Sequence, residues 1–234
     1  MRPESARTLV ERGRPATGST PRVGVLVPWA NRTVEEELPQ LCRSAAIFHY
    51  ARLVPEHRGT ALDDQFLGEL RAAVPGALEQ LKQLPLDGVF VACTSAGFTA
   101  TDDDIASPAT AFDALVASLL ELRATHVVVL TPYPHTMVIL EAAAFARNGI
   151  HVLGGAGLGR DDQFCDVTRA EVQNLVRDIP PTVLASAHAL VLSCTAWPTI
   201  NLLTDLEEEL QIPVISSNLA MAIQASRLTP GGQT

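Results

Sequence analysis

Apolar positions along the chain fall into two alternating patterns, short continuous runs of strand type and longer stretches with helical spacing. Runs at 23–27, 87–92, 126–130, 189–193 and 213–215 read as strands buried on both faces, the pattern of parallel sheets. A strand with blurred alternation covers 47–54, and a short one covers 150–153. Helical spacing occupies 33–42, 61–84 with a bend at Pro75-Gly76, 104–122, 134–147, 168–178, 199–210 and 218–227. Thr33 supplies a cap residue with acids behind it, Asn148-Gly149 a stop, and Pro180-Pro181 a break. Strands that alternate with helices predict an α/β protein with parallel sheets covered on both faces.

One stretch occurs twice. Val89-Phe90-Val91-Ala92-Cys93-Thr94-Ser95 is echoed by Leu190-Val191-Leu192-Ser193-Cys194-Thr195-Ala196, and Val23-Gly24-Val25-Leu26-Val27-Pro28 by Val127-Val128-Val129-Leu130-Thr131-Pro132. Both echoes lie about a hundred residues apart, which predicts one structural unit used twice. The expected organisation is a flexible N-terminal tail over 1–21, a first half over 22–123 and a second over 124–234, related by a pseudo-twofold. The last helix is free to pack back on the first half. Each cysteine falls at the carboxyl end of a buried strand, where open α/β sheets place ligands, so the axis would set Cys93 and Cys194 across one cleft. A single buried cysteine is most often a small packing residue. Two at matching places in a repeat are harder to explain that way.

Composition narrows the function. Although 47% of residues are hydrophobic, no run approaches the roughly 20 apolar residues of a membrane span. Residues 1–21 carry arginines without an apolar signal core, and Glu4 and Glu11 argue against a transit peptide. A net charge of −9 disfavours nucleic acid but leaves small carboxylates open, because local donors decide those. Four cysteines without a C-x-x-C pair indicate neither a disulfide framework nor a zinc site, and a reduced cytoplasm is the expected compartment. Asp102, Asp103 and Asp104 invite a metal reading, but a solvated helix start accounts for them. The segment 154–159 is glycine-rich, yet Arg160 stands where a dinucleotide fingerprint needs its third glycine, so it reads as a mobile loop. There is no P-loop, no G-x-S-x-G elbow and no ligand-like histidine spacing. No metal or cofactor is expected, which leaves acid/base or nucleophilic chemistry by cysteine. A thiol before a helix start meets unpaired N–H groups and a positive dipole end, which favour thiolate and bind carboxylate. Thr94, Ser95 and Thr195 add hydroxyl donors.

Pro28-Trp29-Ala30-Asn31-Arg32-Thr33-Val34-Glu35, Ala92-Cys93-Thr94-Ser95, Thr131-Pro132-Tyr133, Leu192-Ser193-Cys194-Thr195 and Val214-Ile215-Ser216-Ser217-Asn218 resemble maleate cis-trans isomerases and arylmalonate decarboxylases, of the aspartate/glutamate racemase superfamily. The resemblance covers residues 22 to about 228. It implies two flavodoxin-like halves, an active site between them and no cofactor. It also implies that Cys93 attacks a double bond to give a succinyl adduct, that Cys194 is the acid/base, and that Asn31 and the Tyr133 hydroxyl hold the two ends of the substrate. The decarboxylases keep only the second cysteine, so Cys93 favours isomerase or racemase chemistry. This chain departs from the pattern at Trp29-Ala30 and Ala196-Trp197, which would set two tryptophans beside the cleft. Gln163 is the nearest counterpart of a missing asparagine, and Cys42 and Cys165 match no catalytic position and read as structural. Asn31 has a competing role as a cap of the helix that follows it. The expected function is a cytoplasmic, cofactor-independent cis-trans isomerase of a small dicarboxylate such as maleate. The alternatives are a racemase, an arylmalonate-type decarboxylase, or a carboxylate-binding protein without turnover. The expected partner is a small carboxylate, with neither nucleic acid nor membrane, and a homo-oligomer is left open.

Overall fold

The unbroken apolar runs form the centres of two parallel sheets in the computed structural model, which describes residues 5–13, 19–57, 59, 61–100 and 108–231. In the first half β1 (Arg22–Pro28), β2 (Ile47–Leu53), β3 (Gly88–Val91) and β4 (Ala109–Thr110) lie in the order β2-β1-β3-β4. In the second, β5 (His126–Thr131), β6 (His151–Gly157), β7 (Ala189–Leu192) and β8 (Val214–Ser216) repeat it as β6-β5-β7-β8. Every pairing is parallel. The repeat extends to single bonds. Past the end of β3 the Ala92 N–H donates to Leu26 O at 2.8 Å, and past β7 the Ser193 N–H donates to Leu130 O at 2.8 Å. Each cysteine follows that last bond by one residue, at the point where its strand leaves the sheet.

The helices are α1 (Thr8–Gly13), α2 (Thr33–Cys42), α3 (Asp64–Leu81), α4 (Thr94–Phe98), α5 (Ala111–Glu121), α6 (His135–Arg147), α7 (Arg169–Asp178), α8 (Pro181–Ser186), α9 (Leu203–Leu210) and α10 (Ser217–Ala225). Val23, Val25, Leu26, Val127, Val128, Leu190 and Val191 are buried on the central strands, as double-sided coverage requires. The last of the helices, α10, is buried along almost its whole length, and packs on α2 and α5 of the first half. Its apolar residues, Leu219 to Ile223 and Ala225, cannot face water, so it is drawn into the seam between the halves.

The structure departs from the sequence expectations at several elements. Residues 5–13 are a packed segment rather than a flexible tail: Ala6, Leu9 and Val10 are buried, α1 lies on α10, and the Ser5 hydroxyl donates to Glu207 Oε2 at 2.6 Å. Six residues of helix are too few to show a period. The glycine-rich segment is not a mobile loop, since Gly154, Gly155 and Gly157 belong to β6. Crowding explains the glycines, because a Cβ at Gly157 would lie 2.2 Å from Tyr133 O and one at Gly155 would lie 3.0 Å from a Val138 methyl. Helix α5 starts at Ala111 behind a Thr110–Asp113 capping box, and Asp102, Asp103 and Asp104 lie outside the described residues. Thr33 is not the cap of α2; the Asn31 Oδ1 two residues earlier accepts from Val34 N–H at 3.3 Å.

Gly157→Ala forces its new methyl against the backbone of the loop that carries Tyr133. Overpacking of this kind should cost about 1–3 kcal/mol, read as a melting temperature lower by about 2–4 °C per kcal/mol. An unchanged melting temperature would show that the approach at Gly157 is not a constraint.

Candidate active site

Cys93 ends the first-half repeat as the extended residue before α4 (φ −142°, ψ 113°). Its thiol lies 3.4 Å from Ser95 Oγ and takes hydrogen bonds from the Ser95 and Ala96 N–H groups of that helix start. Arg71 on α3 adds positive charge nearby and is itself held by Thr99, donating to its carbonyl at 3.1 Å and its hydroxyl at 2.8 Å. Cys194 ends the second repeat, and its thiol is bonded by the Tyr133 hydroxyl and the Ala196 N–H. Both thiols line a single cavity of about 250 Å³ between the halves.

Asn31, Thr94, Ser95, Tyr133 and Thr195 line the same cavity, so all seven sequence-predicted site residues come together. Their hydroxyls are not equally free. The Thr195 hydroxyl donates to Ala92 O at 2.8 Å and accepts from Asn31 Nδ2 at 3.1 Å, and the Thr94 hydroxyl donates to Ser217 Oγ at 2.9 Å. These threonines tie one half to the other, and what they leave for an anion is backbone N–H. Asn31 caps α2 through its oxygen and binds Thr195 through one N–H, which leaves its second amide hydrogen for a ligand. The helix-cap role and the cavity role therefore coexist in one side chain.

The tie is completed by Glu37, buried on α2. Its carboxylate oxygens accept from the N–H groups of Thr199 and Ile200 at 2.5 and 2.7 Å, from the Thr199 hydroxyl at 3.1 Å and from Asn218 Nδ2 at 2.9 Å. Asn218 also donates to Thr195 O at 3.0 Å. Burial pushes the Glu37 carboxyl up, and the four donors oppose that push. A first-half side chain thus holds the second-half loop that follows Cys194.

The tryptophans do not shape the cavity. Trp197 is fully buried in the core, and the Trp29 indole donates to Gly59 O at 3.1 Å; neither side chain is among the lining residues. The apolar wall is built instead by Leu62, by Phe66 on α3 and by Phe164, whose ring meets Tyr133 edge-on at 5.4 Å. Leu62 N–H donates to Asp161 O at 2.6 Å and Arg32 pairs with Asp166, so the two halves also meet over the mouth. Cys165 is half-buried and lines the cavity, and Gln163 lines it beside Phe164. Cys42 is buried in the core, as expected. Among the described residues no group of His, Cys, Asp or Glu is arranged to hold a metal ion, and no helix is long and apolar enough to cross a membrane. Sequence reasoning missed Glu37, Leu62, Phe66 and Phe164. Glu37 has the only signal, a carboxylate on the apolar face of a helix, four residues from Thr33.

Burial governs the thiols. It pushes both up from the ordinary range, against the expectation that the helix start would favour thiolate. Cys194 is pushed to about 12, with Cys93 and Cys165 adding to the rise. Cys93 is pushed up too, but Ser95, Ala96 and Arg71 all pull it back. The Tyr133 hydroxyl is likewise raised by burial and by the two thiols, so it stays a hydrogen-bond donor at neutral pH.

Two like α/β halves, each delivering a thiol from a strand end into one cavity at their seam, define the class. The chain belongs to the arylmalonate decarboxylase family, whose model matches residues 99–232, a stretch that includes Cys194. It is 23% identical to a maleate isomerase of Geobacillus stearothermophilus over 224 residues, 84% of this chain and 86% of that protein. The fold superimposes on a mutant of Nocardia farcinica maleate cis-trans isomerase with a covalently bound succinylcysteine intermediate, with a TM-score of 0.75, 23% identity and coverage of 89% of this chain and 93% of that one. For the maleate isomerase Iso of Pseudomonas putida S16 the TM-score is 0.76 at 22% identity, covering 87% and 90%.

Raised thiols predict slow alkylation. At about pH 7.5, Cys194 of the free protein should react with iodoacetamide on the order of 100-fold more slowly than in the denatured chain. The rate should still be climbing at the highest pH at which the fold persists. Site-resolved mass spectrometry measures both, and a plateau near neutral pH would show that the helix-start donors outweigh burial.

Proposed function

We propose that the protein is a cofactor-independent cis-trans isomerase of a small dicarboxylate such as maleate, with one reaction divided between Cys93 and Cys194. The observation that carries this reading is the pair of buried thiols, one from each half, facing one cavity in unequal surroundings. With a single proton on the pair, the Ser95 and Ala96 amides, the Ser95 hydroxyl and Arg71 favour the charge on Cys93, and Cys194 keeps the proton.

The Cys93 thiolate attacks one alkene carbon, forming a C–S bond, while the Cys194 thiol gives its proton to the other carbon. The former double bond is now single and free to turn. Cys194, as thiolate, then takes the other hydrogen of that carbon, which the rotation has turned toward it, as a proton, the C–S bond breaks with its electron pair returning to Cys93, and the trans isomer leaves. No atom or electron is gained or lost. The free amide hydrogen of Asn31 supplies a donor to one substrate carboxylate, and the Tyr133 hydroxyl holds Cys194 in line.

A second reading rests on the wall of Leu62, Phe66 and Phe164, which suits an apolar substituent better than a bare dicarboxylate does. In that case the thiols move protons in the racemisation or decarboxylation of a substituted carboxylate and no C–S bond forms.

Incubation with maleate separates the two. Cys194→Ser should lower turnover by about 10² to 10⁴-fold and accumulate protein heavier by one maleic acid, the added mass mapping to Cys93. Cys93→Ser should be as inactive and form no adduct, with both variants melting like the wild type. Near-normal activity of Cys93→Ser on a substituted malonate would replace the isomerase reading with the decarboxylase one.

A further inference from the structure

Against Ser193, the residue before Cys194, lies a carboxyl group that the mechanism above leaves unused. Glu141 sits midway along α6 with no solvent exposure. Its Oε1 accepts from the hydroxyl of Ser193, the residue between the end of β7 and Cys194, and its Oε2 has no hydrogen-bond partner. Among the described residues no cationic side chain pairs with it. A buried carboxylate with one hydrogen bond and no counter-charge is among the costliest groups a protein can hold, whereas the neutral acid needs no counter-charge.

The surroundings from each packed element favour neutrality. Strands β5 and β6 offer only His126 and His151, whose tilted rings lie 5.4 Å apart at the opposite, amino-terminal ends of the strands. Helix α4 carries no charged residue. On α5, which meets α6 through Phe112 and Phe145, Asp113 is tied into the Thr110 cap and Glu121 pairs with Arg227. On α6 itself His135 and Arg147 occupy the two ends. The remaining titratable neighbours are Tyr133, which feels the Glu141 charge, and through Ser193 the Cys194 thiol.

We propose that Glu141 is a positioning residue for Cys194 that works as an uncharged carboxylic acid: it fixes Ser193, through which β7 delivers the thiol, and its ionisation sets a second negative charge behind Cys194 and silences it. The inference rests on the reading of Cys194 as the thiol that handles the proton. When Cys194 gives up its proton, the developing thiolate has Tyr133 and the Ala196 amide for support and no neighbouring carboxylate against it. Burial pushes the Glu141 carboxyl up to about 8, so the acid form prevails at neutral pH and is lost just above it.

Glu141→Gln keeps the size and the acceptor for Ser193 but cannot ionise. Alkylation of Cys194 by a small uncharged reagent should proceed at equal rates in wild type and variant below about pH 7. Relief of the repulsion should make the variant about tenfold faster once the solution is well above pH 8. Cys42, buried in the first half, serves as the site-resolved control and should show no difference. Parallel Cys194 profiles across that range would overturn the proposal.

Stability gives an independent reading. The unfolded chain loses this proton near the ordinary 4.5 and the folded one near 8, so wild-type stability falls as pH rises through that window. The melting temperature of Glu141→Gln relative to wild type should therefore climb from pH 5 to pH 8 and level off above it. A flat difference would show that Glu141 is already ionised in the folded protein and would also overturn the proposal. Neither measurement uses a substrate, so their failure is distinguishable from failure of the isomerase reading, which depends on turnover and adduct formation alone.

Discussion

Two thiols can share one substrate only if the carboxyl ends of two separate sheets are held against each other, and the structure depends on that pinning. The threonine after each cysteine does it directly, Thr195 reaching Ala92 and Thr94 reaching Ser217. Glu37 does it at one remove, collecting donors from Thr199, Ile200 and Asn218 across the seam. Hydrogen bonds of a charged group contribute about 1.5–3 kcal/mol each, and breaking such a set leaves buried donors unpaired. The seam is therefore stiff where the chemistry needs it and apolar elsewhere, with α10 filling the gap between α2 and α5.

The same pinning dries the site, and drying sets the chemistry. Desolvation raises both thiols, so neither is a ready nucleophile in the free protein. What distinguishes them is local. Cys93 stands at the start of α4 with amides, a hydroxyl and Arg71 around it, whereas Cys194 has a phenol and one amide. A pair that is individually reluctant to ionise but unequal can hold one proton in a defined place, which is what an addition and elimination sharing one proton requires.

Much of this was legible in the chain before folding. The repeated strand-Cys-Thr stretch carried the two halves and the shared cavity, because continuous apolar runs and their spacing report buried parallel strands directly. The parts that were not legible depend on contacts distant in sequence. Leu9 and Val10 lie in a helix too short to show a period, Gly157 is glycine because Tyr133 O crowds it, and Trp197 goes into the core while Phe66 and Phe164 line the cavity. The direction of the thiol shifts was misjudged for the same reason: a helix start is visible in sequence, but the depth at which it is buried is not.

The proposed function requires the paired thiols to turn over a small dicarboxylate unaided. Proton NMR of the intact protein with maleate, in buffer without added metal or cofactor, tests it most directly. The vinyl signal of maleate should be replaced by that of fumarate, without loss of carbon dioxide. An unchanged maleate spectrum, with decarboxylation of a substituted malonate by the same sample, would contradict it.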